Sequence, residues 1–373
     1  MLFRFSVKNF KNFQDEFVFD LSDTKNFEFN TQCVKNGIVN NALIYGPNGV
    51  GKSNLGFAIF DIISNVSDKN RMSEYYMNYL NARCSQDISE FKYEFKFGED
   101  IAFYSYGKKN VDEFIYEIFA INGNVVISYD RRNNNDNKAM IGLNGTSTLN
   151  KDISLIKISI IKYIKNNSVL VSDNDNSVFN KFIEFIDNML YFRTLDDKIY
   201  QGYEFGGHDI FEDIVIGSRL NDFELFLNSA QIDCKLGVIE INGKKRVVFD
   251  FGTRTIDFWE NCSTGTRSLS IFYFWLLKIS IKKNKPSFIF IDEFDAYFHQ
   301  EVSNIVVKKL IGLDFQTILT THNTSLMNND LLRPDCYFVM SGNKISSFSS
   351  LTEKDIRKAH NIEKMYRAGA FNE

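Results

Sequence analysis

Residues 46–53 read Gly46-Pro47-Asn48-Gly49-Val50-Gly51-Lys52-Ser53, the phosphate-binding pattern of Gly, four residues, Gly, Lys and Ser or Thr. The apolar run at 42–45 is typical of a buried strand, and the periodic residues 54–63 predict a helix. Glycines let backbone N–H groups converge on phosphate oxygens, and the helix N-terminus adds partial positive charge. We therefore predict a nucleoside triphosphate site in which Lys52 reaches the β- and γ-phosphates and the Ser53 hydroxyl binds Mg²⁺.

The composition is that of a folded soluble protein. The 373 residues are 44% hydrophobic and 24% charged, and this length allows one large domain or two moderate ones. The net charge of −4 creates no general attraction to nucleic acid. Any contact with DNA must therefore come from a local basic patch.

The N-terminus and the cysteines indicate the cellular compartment of the protein. Residues 1–8 alternate like a strand and contain no signal-peptide core. No apolar run approaches the ~18 residues that span a bilayer. The five cysteines are scattered without a Cys-x-x-Cys pair, so neither a zinc site nor a disulfide framework is predicted. We expect a cytoplasmic protein that makes no membrane contact.

A second buried strand, residues 288–291, ends in two carboxylates, Asp292 and Glu293. In P-loop ATPases an acidic residue at this point holds the Mg²⁺ shell, and a following Glu can act as base for the attacking water. Two adjacent carboxylates at a strand end cost free energy unless a cation or water stabilises their charges. The alternative is a strand that simply ends in acidic surface residues.

Three further features surround this acidic strand. Residues 263–268, Ser-Thr-Gly-Thr-Arg-Ser, precede an apolar helix, where Ser and Gly can form another anion site or an ordinary helix cap. Asp295 and His299 follow the acidic pair. His322 ends the next buried strand, where it could sense a γ-phosphate, although a lone histidine is usually structural.

Together these motifs resemble an ABC-type ATPase head of the group that includes SMC, RecF and OLD-like ATPases. In that group they are the Walker A, signature, Walker B with D-loop, and His-switch motifs. Two heads enclose two ATP molecules, and each signature motif touches the γ-phosphate held by the partner's P-loop. The resemblance therefore implies ATP and Mg²⁺ as cofactors and a homodimer, with a higher oligomer possible.

The resemblance also assigns roles to individual residues. It implies catalytic roles for Lys52, Glu293 and His322, and Mg²⁺ ligation by Ser53 and Asp292. The nucleotide would be contacted by Asn48, Gly49, Gly51, Lys52, Ser53, Asn54, Lys11, Ser263, Gly265 and Asp295. Lys11 is included because residues 8–13 resemble a segment that lies near the nucleotide in these heads, and Ser263 and Gly265 would act across the dimer. A Q-loop glutamine is not evident; Gln86 is a candidate that could equally be a plain loop residue.

A narrower resemblance is to bacterial AAA-family ATPases of the abortive-infection and anti-phage group, such as AbiLi, RloA and the PARIS ATPase. The similar segments are Asp-Glu-Phe-Asp-Ala-Tyr-Phe-His at 292–299, Thr-His-Asn-Thr-Ser-Leu at 321–326 and Tyr-Arg-Ala-Gly-Ala-Phe at 366–371. Gln300 stands where many relatives carry Pro. This resemblance implies an ATPase that controls a separately encoded effector protein.

The predicted fold is α/β, a P-loop NTPase of the ABC-ATPase head type. It has a mixed central sheet flanked by helices, an antiparallel β subdomain and a helical insert. We divide the chain into 1–85 with Walker A, 86–260 with a β meander, helices and a return hairpin, and 261–373 with the remaining motifs. Alternating residues predict a hairpin within 2–20. Residues 64–85 and the tail 354–366 have helix-like patterns.

Two other functions remain open at this point. One is a RecF-like ATPase that binds DNA in repair or maintenance, which requires a basic surface. The candidate residues are Lys282, Lys283 and Lys285, or Lys244, Lys245 and Arg246, each of which could be an ordinary solvated face. The other is a nuclease with an ATPase head, for which the sequence shows no acidic cluster beyond Asp292 and Glu293.

Overall fold

The computed structural model describes residues 1–69, 73–132, 137–193, 200–202, 219–281 and 285–371. In this part of the chain the strands are β1 (Leu2–Lys8), β2 (Phe17–Asp20), β3 (Val34–Lys35), β4 (Ile38–Val39), β5 (Asn41–Tyr45), β6 (Ser89–Phe97), β7 (Asp100–Lys108), β8 (Phe114–Ile121), β9 (Asn124–Asp130), β10 (Met140–Ile141), β11 (Met189–Phe192), β12 (Tyr200–Gly202), β13 (Leu236–Ile241), β14 (Lys244–Asp250), β15 (Thr255–Asp257), β16 (Phe288–Ile291), β17 (Gln316–Thr321), β18 (Tyr337–Ser341) and β19 (Lys344–Ser347). The helices are α1 (Lys52–Val66), α2 (Ile160–Asn167), α3 (Asn174–Asp187), α4 (Leu220–Ser229), α5 (Phe258–Asn261), α6 (Thr264–Ile281), α7 (Gln300–Ile311) and α8 (Ile362–Arg367).

The central sheet has the strand order β12-β11-β16-β17-β5-β18-β19. The five strands from β11 to β18 are parallel, and β12 and β19 pair antiparallel at the two edges. The strands β11, β16 and β17 are buried along their whole length, as expected for a sheet covered on both faces, and β11 and β16 consist of apolar and aromatic residues. All five end at one edge, which is where open α/β sheets bind ligands. The predicted mixed central sheet is confirmed.

The second sheet is antiparallel, with the order β10-β9-β8-β7-β6-β1-β2. It joins the predicted meander to the predicted N-terminal hairpin, because β1 pairs with both β2 and β6. One face of this sheet packs against α3, where Phe95 contacts the rings of Phe182 and Phe185 at 5.4 and 5.2 Å. Both sheets draw strands from either side of residue 85. The division of the chain into residues 1–85, 86–260 and 261–373 therefore stays a prediction.

The return hairpin β13–β14 is also confirmed, and β15 extends it to three strands. Two helical predictions hold only in part. Between 64 and 85, α1 ends at Val66, residues 70–72 lie outside the described residues, and the described residues add a 3₁₀ turn at Ser73–Tyr76, where the buried Tyr76 donates to the Phe57 carbonyl of α1 at 3.1 Å. In the tail, only α8 is helical. Across the described ranges, no helix combines the length and the hydropathy that a bilayer span requires.

Candidate nucleotide-binding site

The phosphate-binding loop joins the end of β5 to the start of α1, as the sequence predicts. Gly49 and Gly51 have φ angles of 76° and 108°, in the left-handed region that favours glycine. Gly51 caps α1, and its carbonyl accepts the Leu55 N–H at 2.9 Å. Asn48 and Gly49 are exposed, so the loop opens to solvent at the N-terminus of a 15-residue helix. This is the position at which helices bind anions.

Lys52 lies beneath the loop and is only 5% exposed. Its Nζ donates hydrogen bonds to the carbonyl oxygens of Gly46 at 2.7 Å and Pro47 at 3.1 Å, and it lies 3.0 Å from Nε2 of His322. Burial lowers the pKa of Lys52, and three nearby carboxylates oppose that shift: Asp292, Glu293 and Asp295. The ammonium is therefore held at the base of the loop, within reach of any phosphate that the loop binds.

Asp292 and Ser53, the predicted Mg²⁺ ligands, lie together. Asp292 follows β16, is 2% exposed, and accepts a hydrogen bond from the Thr320 hydroxyl at 2.6 Å. Burial raises the pKa of Asp292, and the nearby side chains of Ser53 and Thr320 oppose that shift. A buried carboxylate beside a hydroxyl at a phosphate-binding loop is the hard oxygen donor set that Mg²⁺ prefers. The alternative of an acidic surface residue is therefore wrong for Asp292.

Glu293 and His322 face each other at the opening of the site. Glu293 Oε1 lies 3.5 Å from His322 Nε2, and both side chains are partly exposed. The Glu293 N–H donates to the Thr320 hydroxyl at 2.8 Å, which ties the residue to β17. Glu293 also has a φ angle of 46°, which is uncommon for a residue with a side chain. The carboxylate is therefore placed by the backbone at the edge where water can enter.

Asp295 lies just behind this pair. Its Oδ2 accepts a hydrogen bond from the Thr321 hydroxyl at 2.8 Å, and burial raises its pKa. The Thr321 hydroxyl also accepts the Asn323 N–H at 2.9 Å. The D-loop is thereby connected to the end of β17, from which His322 projects.

The signature residues occupy a different place. Ser263 caps α6, because its Oγ accepts the Thr266 N–H at 3.1 Å, and the side chain is exposed. A Cβ on Gly265 would lie 2.7 Å from the carbonyl oxygen of Tyr297. The signature therefore packs against the D-loop of its own chain. Among the described residues, no hydrogen bond links Ser263 or Gly265 to the phosphate-binding loop of the same chain.

Lys11 lies next to α1. Its φ angle is 48°, its Nζ donates to the Met77 carbonyl at 3.2 Å, and it lies 5.8 Å from the ring centre of Phe57, one turn after Ser53. Burial lowers the pKa of Lys11. Its nucleotide contact stays a prediction, as does that of Asn54, whose amide instead contacts Asn12 at 2.7 Å.

One residue at this site, Asn12, is given no role of its own in the predictions above. It contacts the phosphate-binding loop, donating to the Val50 carbonyl at 3.3 Å. The last carbonyl of β11, at Phe192, accepts the Asp292 N–H at 2.9 Å, whereas the side chain of the next residue, Arg193, donates to the Tyr75 hydroxyl at 2.7 Å. The Q-loop candidate, Gln86, is exposed, and its backbone carbonyl accepts a hydrogen bond from the Asn9 side chain at 2.7 Å.

Comparison with known proteins agrees with this geometry. The family model described as "AAA domain, putative AbiEii toxin, Type IV TA system" matches residues 42–328. The chain belongs to this family. Among curated proteins, none matches the chain. The chain is thus an AAA-family ATPase.

Solved structures with a similar chain course have low sequence identity. An SMC head bound to the C-terminal winged-helix domain of ScpA has a TM-score of 0.45 at 16% identity, covering 93% of this chain and 97% of that one. An SMC head domain from Thermotoga maritima has a TM-score of 0.43 at 14% identity, with the same coverage. The recombination mediator RecF has a TM-score of 0.41 at 14% identity, covering 93% of this chain and 98% of that one.

Proposed function

We propose that this protein is a Mg²⁺-dependent ATPase that dimerises around ATP and controls a separate effector in a bacterial anti-phage system. The observation that carries the ATPase part is the meeting of the phosphate-binding loop with the ends of β16 and β17, where Lys52 Nζ lies 3.0 Å from His322 Nε2, which is 3.5 Å from Glu293 Oε1, and where the side chains of Asp292 and Ser53 come close. The convergence of five predicted residues at one sheet edge supports hydrolysis of a triphosphate.

In this mechanism the loop N–H groups and Lys52 bind the phosphates. Ser53 and Asp292 hold Mg²⁺, which neutralises charge on the β- and γ-phosphates when bound. Glu293 accepts a proton from the attacking water, because it is the partly exposed carboxylate at the opening. His322 lies between Glu293 and Lys52, where it can respond to a phosphate placed on the lysine.

The dimer supplies the signature across the interface. Ser263 is exposed on the surface and rests, through Gly265, against the D-loop that also carries Asp295. A second copy seated on this surface would place its own phosphate-binding loop opposite the N-terminus of α6, an anion-binding position. The same contact would give each D-loop access to both sites. A change in the dimer can therefore report nucleotide state to a bound effector.

The experiment compares Glu293→Gln and Lys52→Ala in the full chain. Glu293→Gln should bind ATP and remain an ATP-dependent dimer in light scattering after size-exclusion chromatography, because hydrolysis is blocked. Lys52→Ala should lose ATP binding and stay in the nucleotide-free state. If Glu293→Gln hydrolyses ATP at the wild-type rate, the assignment of the base is wrong.

The defence role is supported by the family description, which names an abortive-infection toxin and a toxin–antitoxin system. It is tested by expressing the chain with its neighbouring genes in bacteria and measuring phage plating. The wild-type genes should reduce plating and Lys52→Ala should restore it, because nucleotide binding would be required. Unchanged plating with the intact gene cluster against a broad phage panel would remove this role while leaving the ATPase intact.

A DNA-binding ATPase is the second candidate, favoured by the tip of the β13–β14 hairpin. Lys244, Lys245 and Arg246 are exposed there, although Arg246 also pairs with Asp257 at 3.3 Å. Lys285 is exposed as well, and Lys282 and Lys283 lie outside the described residues. A DNA titration at several salt concentrations, with and without ATP, tests it. Binding that weakens in Lys244→Glu/Lys245→Glu would support this function.

A further inference from the structure

The turn at residues 9–13 is closed by backbone hydrogen bonds and lies next to the phosphate-binding loop. Phe10 and Phe13 exchange backbone hydrogen bonds at 3.0 and 2.8 Å, and both rings are fully buried. Asn9 and Lys11 have φ angles of 54° and 48°, so the chain bends sharply on either side of Phe10. The two phenylalanine rings hold this turn in the core, and Asn12, one of the two residues between them, makes its side-chain contacts with the phosphate-binding loop and α1.

The turn is also tied to the antiparallel sheet. Asn9 donates to the carbonyl of Ile88 at 3.0 Å, and its Oδ1 accepts the Asn81 N–H at 3.2 Å. Asn81 in turn donates to the Lys11 carbonyl at 2.6 Å. Ile88 directly precedes β6. These hydrogen bonds make the position of the turn depend on the segment that leads into the second sheet.

From this turn, Asn12 reaches the second half of the phosphate-binding loop. Its Nδ2 donates to the Val50 carbonyl at 3.3 Å, and its Oδ1 accepts the Asn54 amide at 2.7 Å. The approach to Gly51 is so close that a Cβ there would lie 2.3 Å from Asn12 Nδ2. Asn12 thus contacts the loop on both sides of Lys52, once before the helix and once in its first turn.

We propose that Asn12 is a positioning residue that holds the Val50–Lys52 peptide planes in the orientation that binds phosphate. It acts through Val50 and Asn54 and does not touch the nucleotide. The middle of the loop, Asn48 and Gly49, is exposed, so the loop needs such a support to be preorganised. The inference rests on the proposed function, because it concerns the same nucleotide site, and it makes nucleotide affinity depend on the second sheet.

The test measures ATP dissociation constants for the full-length protein by titration calorimetry. Asn12→Ala should weaken ATP binding about five- to tenfold, because one hydrogen-bonded support is lost. Asn12→Asp should weaken it more, since it loses the donor to Val50 and adds a negative charge beside the phosphates. Asn12→Ala/Asn54→Ala should bind like Asn12→Ala alone. Asp15→Ala, an exposed change three residues away, is the matched control and should bind like wild type.

A purely structural role would give a different result, namely a lower melting temperature in every variant with wild-type ATP affinity. That outcome overturns the proposal, and so do additive effects of Asn12→Ala and Asn54→Ala. Hydrogen–deuterium exchange of the loop amides in nucleotide-free protein separates this inference from the proposed function. Faster exchange at residues 50–52 in Asn12→Ala supports the positioning role even if the wild-type protein fails to bind ATP, and unchanged exchange contradicts it.

Discussion

At the scale of single residues, the backbone of Glu293 stands out. It is a carboxylate residue in the left-handed region, with a φ angle of 46°, directly after the buried Asp292. Conformations of this kind cost an L-residue about 1–2 kcal/mol and concentrate at functional sites. The Thr320 hydroxyl, which accepts the Glu293 N–H and donates to Asp292, helps to hold it.

This strain predicts that relieving it at Glu293 raises stability while ATPase activity is lost. Glu293→Gly should raise the free energy of unfolding by about 1 kcal/mol, because glycine adopts this conformation without strain, while ATP hydrolysis is lost. Glu293→Gln is the matched control, since it also removes the base but keeps the strained side chain. Urea denaturation measures both. Equal stabilities for the glycine and glutamine variants would show that the backbone conformation costs nothing.

At the scale of elements, a buried ion pair joins α1 to the antiparallel sheet. Lys108 of β7 lies 2.9 Å from Asp61 of α1, and both side chains are fully buried. Lys108 also donates to Asn65 at 2.5 Å, and the Tyr106 hydroxyl donates to Asp61 at 2.8 Å. The helix that begins at the phosphate-binding loop is thus fastened to the sheet by charge as well as by packing.

Removing one partner should be costly. Lys108→Met should lower the free energy of unfolding by about 3–5 kcal/mol, because it leaves Asp61 buried without its cation. The same substitution at Lys92, whose pair with Glu16 is partly exposed at 2.8 Å, is the control and should cost less than about 1 kcal/mol. Chemical denaturation of both variants provides the measurement. Similar losses in the two would mean that burial does not strengthen the Lys108 pair.

A buried carboxylate also connects the antiparallel sheet to α2 through hydrogen bonds. Glu117 of β8 accepts hydrogen bonds from the hydroxyls of Tyr104, Tyr129 and Ser159 at 2.7, 2.8 and 2.6 Å, and from the Ile160 N–H at 2.8 Å. It thereby holds the N-terminus of α2 against the sheet. Burial raises the pKa of Glu117, and the hydrogen bonds oppose that rise.

The raised pKa predicts a pH dependence. Between the ordinary value of 4.5 and the higher folded value, the native state binds more protons at Glu117 than the unfolded state does. This group's contribution to stability therefore falls as pH rises through that interval. Glu117→Gln should lack the fall, so the stability of wild type minus that of the variant should decrease with pH in urea titrations from pH 4 to 8. A difference that is constant across this range would contradict the shift.

At the scale of the whole molecule, the signature and the phosphate-binding loop are separate surfaces of one chain. Ser263 is exposed and Lys52 is buried beneath its loop. The D-loop lies between them, contacting Gly265 through Tyr297 and β17 through Asp295. In the proposed function these two surfaces are the two halves of a nucleotide site, which a symmetric dimer would complete.

A substitution in the signature motif should abolish ATP-dependent dimerisation without abolishing ATP binding. In the Glu293→Gln background, Ser263→Arg should still bind ATP, with the weaker affinity of a single copy, but fail to form the ATP-dependent dimer, because the bulky cation occupies the surface that the partner would contact. Ser172→Arg, at an exposed site elsewhere, should still dimerise. Light scattering with and without ATP measures both. A stable dimer in the Ser263→Arg variant would place the interface elsewhere.

The sequence by itself determined the features written in neighbouring residues. Local periodicity and turn chemistry were enough to predict four features: the phosphate-binding loop between β5 and α1, the acidic end of β16, the histidine after β17 and the hairpin at 236–251. Each needs only the preferences of residues close together in the chain, so each could be predicted. The helix-like pattern at 64–85 is helical only to Val66 and in a 3₁₀ turn at Ser73–Tyr76 among the described residues, and the burial of Tyr76 and Tyr79 is a tertiary effect that the local pattern does not contain.

Only the tertiary structure decided which distant segments meet. Residues far apart in the sequence meet in the pairing of β1 with β6, the contact of Asn12 with Val50, the contact of Arg193 with Tyr75 and the pair of Lys108 with Asp61. No local pattern encodes them, because a single asparagine, arginine or lysine reads as a surface residue until its partner is known. Their energies come from burial and hydrogen bonding that exist only after the two sheets have closed on α1.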